Sequence, residues 1–261
     1  MNKRRNLPVW SFGGEEPDPD VSTLAAWAGR QKGGGGDLLS FKVESSLKDQ
    51  SGLDRLAYGG IYYADRMYDS IGGIRSGFLR EEPWMCPEYL LDDASRAVSL
   101  SRKVWAVLPS PLHLKIEDAV FHGREEYESA LCSMYRLLMR EIRDAGVYGT
   151  IIVGEQFSAI ERELLFGRRV FLHSLSGGYD SVSGILDVQS SLALPAHRLS
   201  VIPDLLDEYD IRSLTVIDGT EKDFTRLLSY FDAEDLTAGG LSSGGGQKYW
   251  EGVSSHAFVM V

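Results

Sequence analysis

Short apolar runs alternate along this chain with longer segments in which apolar residues recur every three or four positions. The short runs are typical of buried strands, and the longer spacing is typical of helices with one buried face. The clearest helical pattern covers residues 125–145, because five apolar side chains from Tyr127 to Ile142 fall on one face. The alternation therefore predicts a protein built from strands and helices in turn.

The predicted strands are residues 38–43, 61–64, 104–108, 149–153, 170–175, 213–217, 236–238 and 256–261, with a further short one at 199–202. The predicted helices are residues 21–30, 87–101, 125–145, 158–166, 181–192, 203–209 and 222–231. Residues 1–20 contain several prolines and glycines among acidic residues, and we expect them to form a flexible lead-in.

Strands that alternate with helices favour a mainly parallel sheet with helical crossovers. About eight strands in a chain of 261 residues favour a single α/β domain over residues 21–261, a (β/α)8 TIM-like barrel. An open doubly wound parallel sheet is the alternative. The predicted last strand ends the chain and leaves no eighth helix, so helix 21–30 would have to cover that strand in a closed barrel.

Composition and charge narrow the class of protein. The net charge of −11 and the scattered basic residues do not favour a nucleic-acid surface. No apolar run is long enough to cross a membrane and the amino terminus lacks a signal-peptide pattern, so we expect a cytoplasmic protein. Cys86 and Cys132 lie far apart in apolar surroundings, which predicts reduced thiols and no metal site built on cysteine. The oligomeric state is left open.

The candidate catalytic and binding residues are sought where predicted strands end, because ligands of both folds bind at the carboxyl ends of parallel strands. Asp218 and Glu155 each follow a strand and are predicted to transfer protons, together with His173 inside strand 170–175. Each of these residues also has a purely structural interpretation. Either carboxylate could cap the helix that follows it, and His173 could be a hydrogen-bonded core residue. Two glycine-rich loops are predicted to bind an anion through backbone N–H groups. The residues concerned are Ser176, Gly177, Gly178, Asp180, Ser181, Gly239, Gly240, Ser242 and Ser243.

The second of these loops carries a family resemblance. The sequence GGLSS after a short strand, followed about a dozen residues later by HAFVMV, resembles the phosphate-binding unit of the ribulose-phosphate-binding barrels, such as the sugar isomerases of histidine synthesis. Asp218 also stands where those enzymes place an acidic residue after strand six. The resemblance implies a (β/α)8 barrel that binds a phosphate, although the family's acidic amino-terminal strand is not evident. A flexible Gly/Ser loop is the alternative.

The first loop carries a second resemblance. Residues 176–181, SGGYDS, match the SGGxDS signature of the PP-loop ATP pyrophosphatases at every fixed position. That resemblance implies that ATP and Mg²⁺ bind at the loop and that a substrate is adenylated there. Only 80 residues follow Ser181, fewer than that fold usually needs, and an ordinary capped turn would give the same letters.

Three functions follow from these patterns. The first is an enzyme that isomerises or cleaves a small phosphorylated or carboxylated metabolite by acid/base chemistry. The second is an ATP-dependent adenylating enzyme, and the third is a non-catalytic α/β scaffold. No cofactor is implied outside the second hypothesis.

Overall fold

The structure, a computed structural model, describes residues 3–14, 16–31 and 36–260. Its strands are Arg4–Asn6 (β1), Val9–Gly14 (β2), Ala57–Gly59 (β3), Ile71–Arg75 (β4), Phe78–Met85 (β5), Trp105–Pro109 (β6), Glu117–Asp118 (β7), Gly149–Gly154 (β8), Val170–Ser174 (β9), Ser191–Pro195 (β10), Ser213–Ile217 (β11), Leu236–Ser242 (β12) and Phe258–Met260 (β13). Its α-helices are Val21–Ala28 (α1), Leu38–Asp49 (α2), Ala64–Asp69 (α3), Glu88–Leu100 (α4), Arg124–Asp144 (α5), Ala159–Leu165 (α6), Tyr179–Leu186 (α7), Ile202–Glu208 (α8), Glu221–Leu227 (α9) and Gly246–His256 (α10). Short 3₁₀ helices cover Ile61–Tyr63, Pro111–Leu114 and Ala196–Val201.

Eight parallel strands form the predicted barrel. They pair as two four-stranded sheets, in the orders β3-β6-β8-β9 and β10-β11-β12-β2. One seam between the sheets is closed by the Ser11 N–H, which donates to the Arg55 carbonyl at 2.9 Å. At the other seam the Gln189 side chain accepts from the Leu172 N–H at 2.9 Å and donates to the carbonyls of Leu172 and Ser191. The ring is therefore closed, and the open-sheet alternative is wrong.

Side chains from strands on all sides meet inside the ring. Phe12, Trp105, Ile151, Phe171 and Ile217 belong to one buried cluster there. The helices cover the outer face of the strands, so a strand such as β8 is buried along its whole length. Burial on both faces explains why these strands are continuous apolar runs in the sequence. The small sheet formed by β4, β5 and β7 lies outside this ring.

The predicted flexible lead-in is wrong for the described part of residues 1–20, of which residues 1, 2 and 15 lie outside the described ranges. Strand β2 is the first strand of the barrel, and Phe12 on it is fully buried. Its last residue, Gly14, allows close approach to the end of β12, because a Cβ on Gly14 would collide with the backbone carbonyl of Ser242. Glycine there marks tight packing, and the barrel therefore begins before residue 21.

The carboxyl-terminal segment also differs from the prediction. Strand β13 pairs antiparallel with β1 and takes no part in the barrel, while Val261 lies outside the described residues. The predicted strand 236–238 continues to Ser242 and is the eighth barrel strand, followed by α10 as the eighth helix. The expected gap in the helical layer is therefore filled.

Four further segments were predicted wrongly. Residues 38–43 begin helix α2, whose first turn is capped by the Asp37 carboxylate. Residues 61–63 form a 3₁₀ turn after β3, and Ala64 begins α3. The helix predicted over 181–192 ends at Leu186, which leaves room for barrel strand β10. Residues 199–202 are helical. In each case a short apolar run fits strand and helix equally well by sequence.

Two properties of the chain bear on its chemistry. Cys132 is buried, Cys86 is half-buried, and neither forms a disulfide. Burial raises the pKa of the Cys132 thiol to about 12. None of the described helices is both long and apolar enough to span a membrane.

Candidate functional site

The carboxyl ends of the eight barrel strands open at one mouth. A cavity of about 180 Å³ lies there, lined by apolar side chains that include Ile61, Val153, Leu175 and Leu241. No titratable side chain lines it among the described residues. The chemistry predicted from the sequence must therefore lie at the rim of the mouth or below it.

Asp218 lies at the rim, directly after β11. Its backbone has φ 55°, in the left-handed region, and its N–H donates to the Gly239 carbonyl at 2.9 Å. Its Oδ1 accepts a hydrogen bond of 2.5 Å from the Tyr249 hydroxyl on α10. Partial burial raises the pKa of the Asp218 carboxyl, and the hydrogen bond from Tyr249 opposes that rise. Burial likewise raises the pKa of Tyr249 well above its ordinary value.

His173 lies below the mouth, inside the barrel. It is 2% exposed, and its ring meets that of Phe12 edge to face at 5.1 Å between centroids. Burial lowers its pKa to about 4, although a hydrogen bond with the Ala193 backbone acts in the opposite direction. Nδ1 has no hydrogen-bond partner among the described residues. The structure thus holds a neutral core histidine, and its predicted proton transfer stays a prediction.

The loop after β9 forms a compact cluster of three serine hydroxyls. Ser174 Oγ lies 3.0 Å from the hydroxyls of both Ser176 and Ser181, which are 2.7 Å from each other. The Gly177 N–H donates to Ser174 Oγ at 3.2 Å, and the Gly178 N–H lies 3.4 Å from Ser176 Oγ. These two amides thus have partners within the loop. An anion would have to replace them.

Glu155 follows β8 and is tied to the same loop through its backbone. Its carbonyl accepts hydrogen bonds from the hydroxyls of Ser174 and Ser176, at 3.1 and 3.2 Å. Its side chain is exposed at the rim, as is Asp180 in the first turn of α7. Among the described residues no hydrogen bond or ion pair links the Glu155 or His173 side chain to Asp218.

The second predicted anion loop begins later than the sequence suggested. Gly239 and Gly240 lie within β12, in register with Trp10 and Ser11 of β2. A Cβ on Gly239 would meet barrel-interior side chains, and one on Gly240 would meet the Trp250 ring outside the barrel. The two glycines are therefore packing positions within a strand. Ser242 is buried and accepts from the Gly244 N–H at 3.3 Å, and Ser243 lines the mouth cavity.

Two features of the surface were not predicted. Tyr249 was missed as a partner of Asp218 because 31 positions separate them, and only a helix packed against β12 could have indicated the contact. A larger cavity of about 580 Å³ lies on the outer surface between α5 and α6. Arg136, Arg140, Arg143 and Arg168 line it, so basic residues scattered in the sequence converge there, away from the mouth.

The fold and its mouth define a (β/α)8 barrel of the kind that binds ligands at the carboxyl ends of its strands. A B12-independent methionine synthase from Shewanella sp. W3-18-1, solved with selenomethionine, is similar over 96% of both chains, with a TM-score of 0.64 and 12% identity. A 4-hydroxy-tetrahydrodipicolinate synthase from Methylacidiphilum fumariolicum SolV is similar over 96% of this chain and 72% of that chain, with a TM-score of 0.50 and 11% identity.

These similarities confirm the predicted barrel and, at such low identity, show the fold alone. They give no support to the PP-loop hypothesis or to its ATP and Mg²⁺. No family model matches the chain, and no curated protein matches it.

Proposed function

We propose that this protein is an enzyme that isomerises or cleaves a small anionic metabolite at the carboxyl end of the barrel. The observation that carries the proposal is the pair of Asp218 and Tyr249, a strand-end carboxyl and a phenol joined at 2.5 Å. The two similar structures described above are named as a methionine synthase and a 4-hydroxy-tetrahydrodipicolinate synthase, which supports an enzyme. The substrate class remains part of the proposal.

Asp218 would act as the acid/base group. Its raised pKa brings it closer to neutral pH, where a carboxyl can both accept and donate a proton during turnover. The Tyr249 hydroxyl donates to Asp218 and would stabilise the carboxylate each time the proton leaves. Left-handed φ values for residues other than glycine are uncommon and concentrate at functional sites, which agrees with this role.

The predicted serines would hold the substrate. Ser243 at the mouth and the serine hydroxyls of the loop after β9 are donors for a phosphate or carboxylate. A hydroxyl rotates, so Ser176 and Ser181 could turn from each other to a ligand at the cost of the hydrogen bond between them. Glu155 at the rim would be a second proton-transfer group on that side.

The test is turnover and binding on a panel of phosphorylated and carboxylated metabolites. A ligand present at about 100 times its dissociation constant stabilises the fold by about 2.7 kcal/mol, which thermal unfolding detects. For the metabolite found, Asp218→Asn should lower kcat by about 10²- to 10⁴-fold, and Tyr249→Phe should lower it less. The exposed Asp207→Asn on α8 is the matched control. Full turnover by Asp218→Asn would refute the proposal.

A non-catalytic scaffold is the second candidate, and one observation favours it. The mouth cavity is only about 180 Å³ and is lined mainly by apolar side chains. Ligand pockets usually exceed about 300 Å³. If no metabolite of the panel shifts the unfolding temperature, and Leu241→Ala, which widens the mouth, also allows no binding, the scaffold is the better account.

A further inference from the structure

A second cleft lies beside the mouth, between α2 and the segments that follow β2 and β12. Its volume is about 270 Å³, and its walls include Glu16, Asp18, Lys42, Asp49 and Gly244. The cleft adjoins the mouth, because Gly14 and Ser243, which line the mouth cavity, are next in sequence to the segments that form the cleft. We name it the Glu16 cleft.

Glu16 is the unusual residue of this cleft. The residue is only 8% exposed, and among the described residues its carboxylate has no hydrogen bond and no ion pair. Removing most of a carboxylate from water without a hydrogen-bond partner is costly. Because Glu16 lines the cleft, a partner for it can enter there.

The neighbouring charges decide what kind of partner fits. The buried Lys42 places its Nζ 2.7 Å from Asp18 Oδ1, so its ammonium is already paired with another carboxylate. Asp49 forms no ion pair within the part of the chain that the structure describes. Burial raises the pKa of Glu16, the nearby Asp49 carboxylate raises it further, and the Lys42 ammonium acts in the opposite direction. The cleft thus carries three carboxylates and one ammonium, so it favours a cation over an anion.

We infer that the Glu16 cleft binds the ammonium group of a small amine, with Glu16 and Asp49 accepting its hydrogen bonds. A primary ammonium has three donors, which suits two carboxylates on one side of a cleft. A metal ion fits less well, because the described residues contain no group of three His, Cys, Asp or Glu side chains that could hold one. This inference rests on the proposed function in one respect, because the bound amine would be part of the substrate. That substrate would then carry both an amine and an anionic group.

The test uses n-propylammonium chloride as the probe, with 1-propanol and sodium propionate as neutral and anionic counterparts. Titrations of the full ¹⁵N-labelled chain should show saturable shifts for the amides of Asp49 and Gly244 with the amine only. Glu16→Gln should weaken amine binding by about tenfold or more, because a charge-assisted hydrogen bond is lost. The exposed Glu126→Gln on α5 should bind as the wild type does.

Several outcomes would overturn the inference. They are no saturable shift with the amine, equal shifts with propanol or propionate, and unchanged affinity in a folded Glu16→Gln variant. If Glu16→Gln fails to fold, the wild-type titration decides, because the amides that shift identify the site without any variant.

Failure of this inference and failure of the proposed function give different results. Asp218→Asn should lose turnover and retain amine binding. Glu16→Gln should lose amine binding. If the wild type binds the amine at Glu16 and Asp218→Asn turns over normally, the inference about the Glu16 cleft is supported and the proposed acid/base role of Asp218 is refuted.

Discussion

The protonation of His173 offers a sharp test of the barrel interior. The side chain is 2% exposed, and burial lowers its pKa to about 4. In the unfolded chain the imidazole would have a pKa of about 6.5. As the pH falls below 6.5, the unfolded chain therefore binds a proton that the folded protein does not, and stability is lost.

The size of this loss follows from the two pKa values. Above about pH 7.5 His173 is neutral in both states and contributes almost nothing to the pH dependence. At about pH 5 the unfolded state is favoured by about 2 kcal/mol, and below pH 4 the loss levels off at about 3 kcal/mol. Carboxyl groups titrate in the same range, so the wild type alone does not isolate this contribution.

The assay is urea unfolding of the wild type and His173→Leu at about pH 7.5 and about pH 5. Leucine keeps an apolar side chain of similar size beside Phe12 and removes the titrating group. Between the two pH values the wild type should lose about 2 kcal/mol more than the variant. The other titrating groups are common to both proteins and cancel in the comparison.

A parallel loss of stability in both proteins would refute this account of the barrel interior. It would mean that His173 takes up a proton in the folded state as readily as in the unfolded chain. Such a histidine would reach solvent or a charged partner, and proton transfer at the active site would again be open to it. An NMR titration of the ring checks the same point, because a buried neutral imidazole shows no protonation above about pH 5.

Three further variants test the framework around the site by urea unfolding. Gly252→Ala within α10 should stabilise the protein by up to about 1 kcal/mol, because the position has open space and alanine favours the helix; no change or a loss would contradict this. Asp93→Asn removes the buried carboxylate 2.8 Å from the Arg66 guanidinium, which keeps its ion pair with Asp37 at 2.7 Å, and should cost about 1.5 to 3 kcal/mol. The exposed Asp92→Asn should cost almost nothing, and equal effects of the two variants would be contrary evidence. Gln189→Leu removes three hydrogen bonds at the seam between β9 and β10 and should cost about 2 to 4 kcal/mol, so a neutral result would show that the seam does not depend on it.

The strands that could be predicted from the sequence share one property. Strands β6, β8, β9 and β11 are continuous apolar runs, because helices cover one face and the barrel interior covers the other. Helix α5 was equally clear, since one face of it is buried along 21 residues. The pattern of apolar residues reflects burial, so it identifies the strands that are buried on both faces and the helix that is buried along one face.

The strands that were missed lack that property or contain glycine and proline. Strand β2 follows Pro8 and ends in a pair of glycines, and composition alone favoured a loose segment there. Strand β10 is short and ends in Pro195, so its apolar residues extended the preceding helix in the prediction. In both cases the strand is stabilised by neighbours that lie far away in the sequence, which a local pattern does not contain.

The same limit applies to the site, because the strongest sequence motif and the carboxyls with raised pKa values lie in different places. SGGYDS was conspicuous because serines and glycines stand close together in the chain, yet that closeness lets the serine hydroxyls satisfy the loop amides themselves. Asp218 depends on Tyr249, and Glu16 depends on charges from α2, so neither has a local signature. A motif of adjacent residues identifies a turn, whereas a perturbed carboxyl needs partners that only the closed barrel brings together. The better candidates for chemistry in this protein are therefore the carboxyls whose surroundings come from distant parts of the sequence.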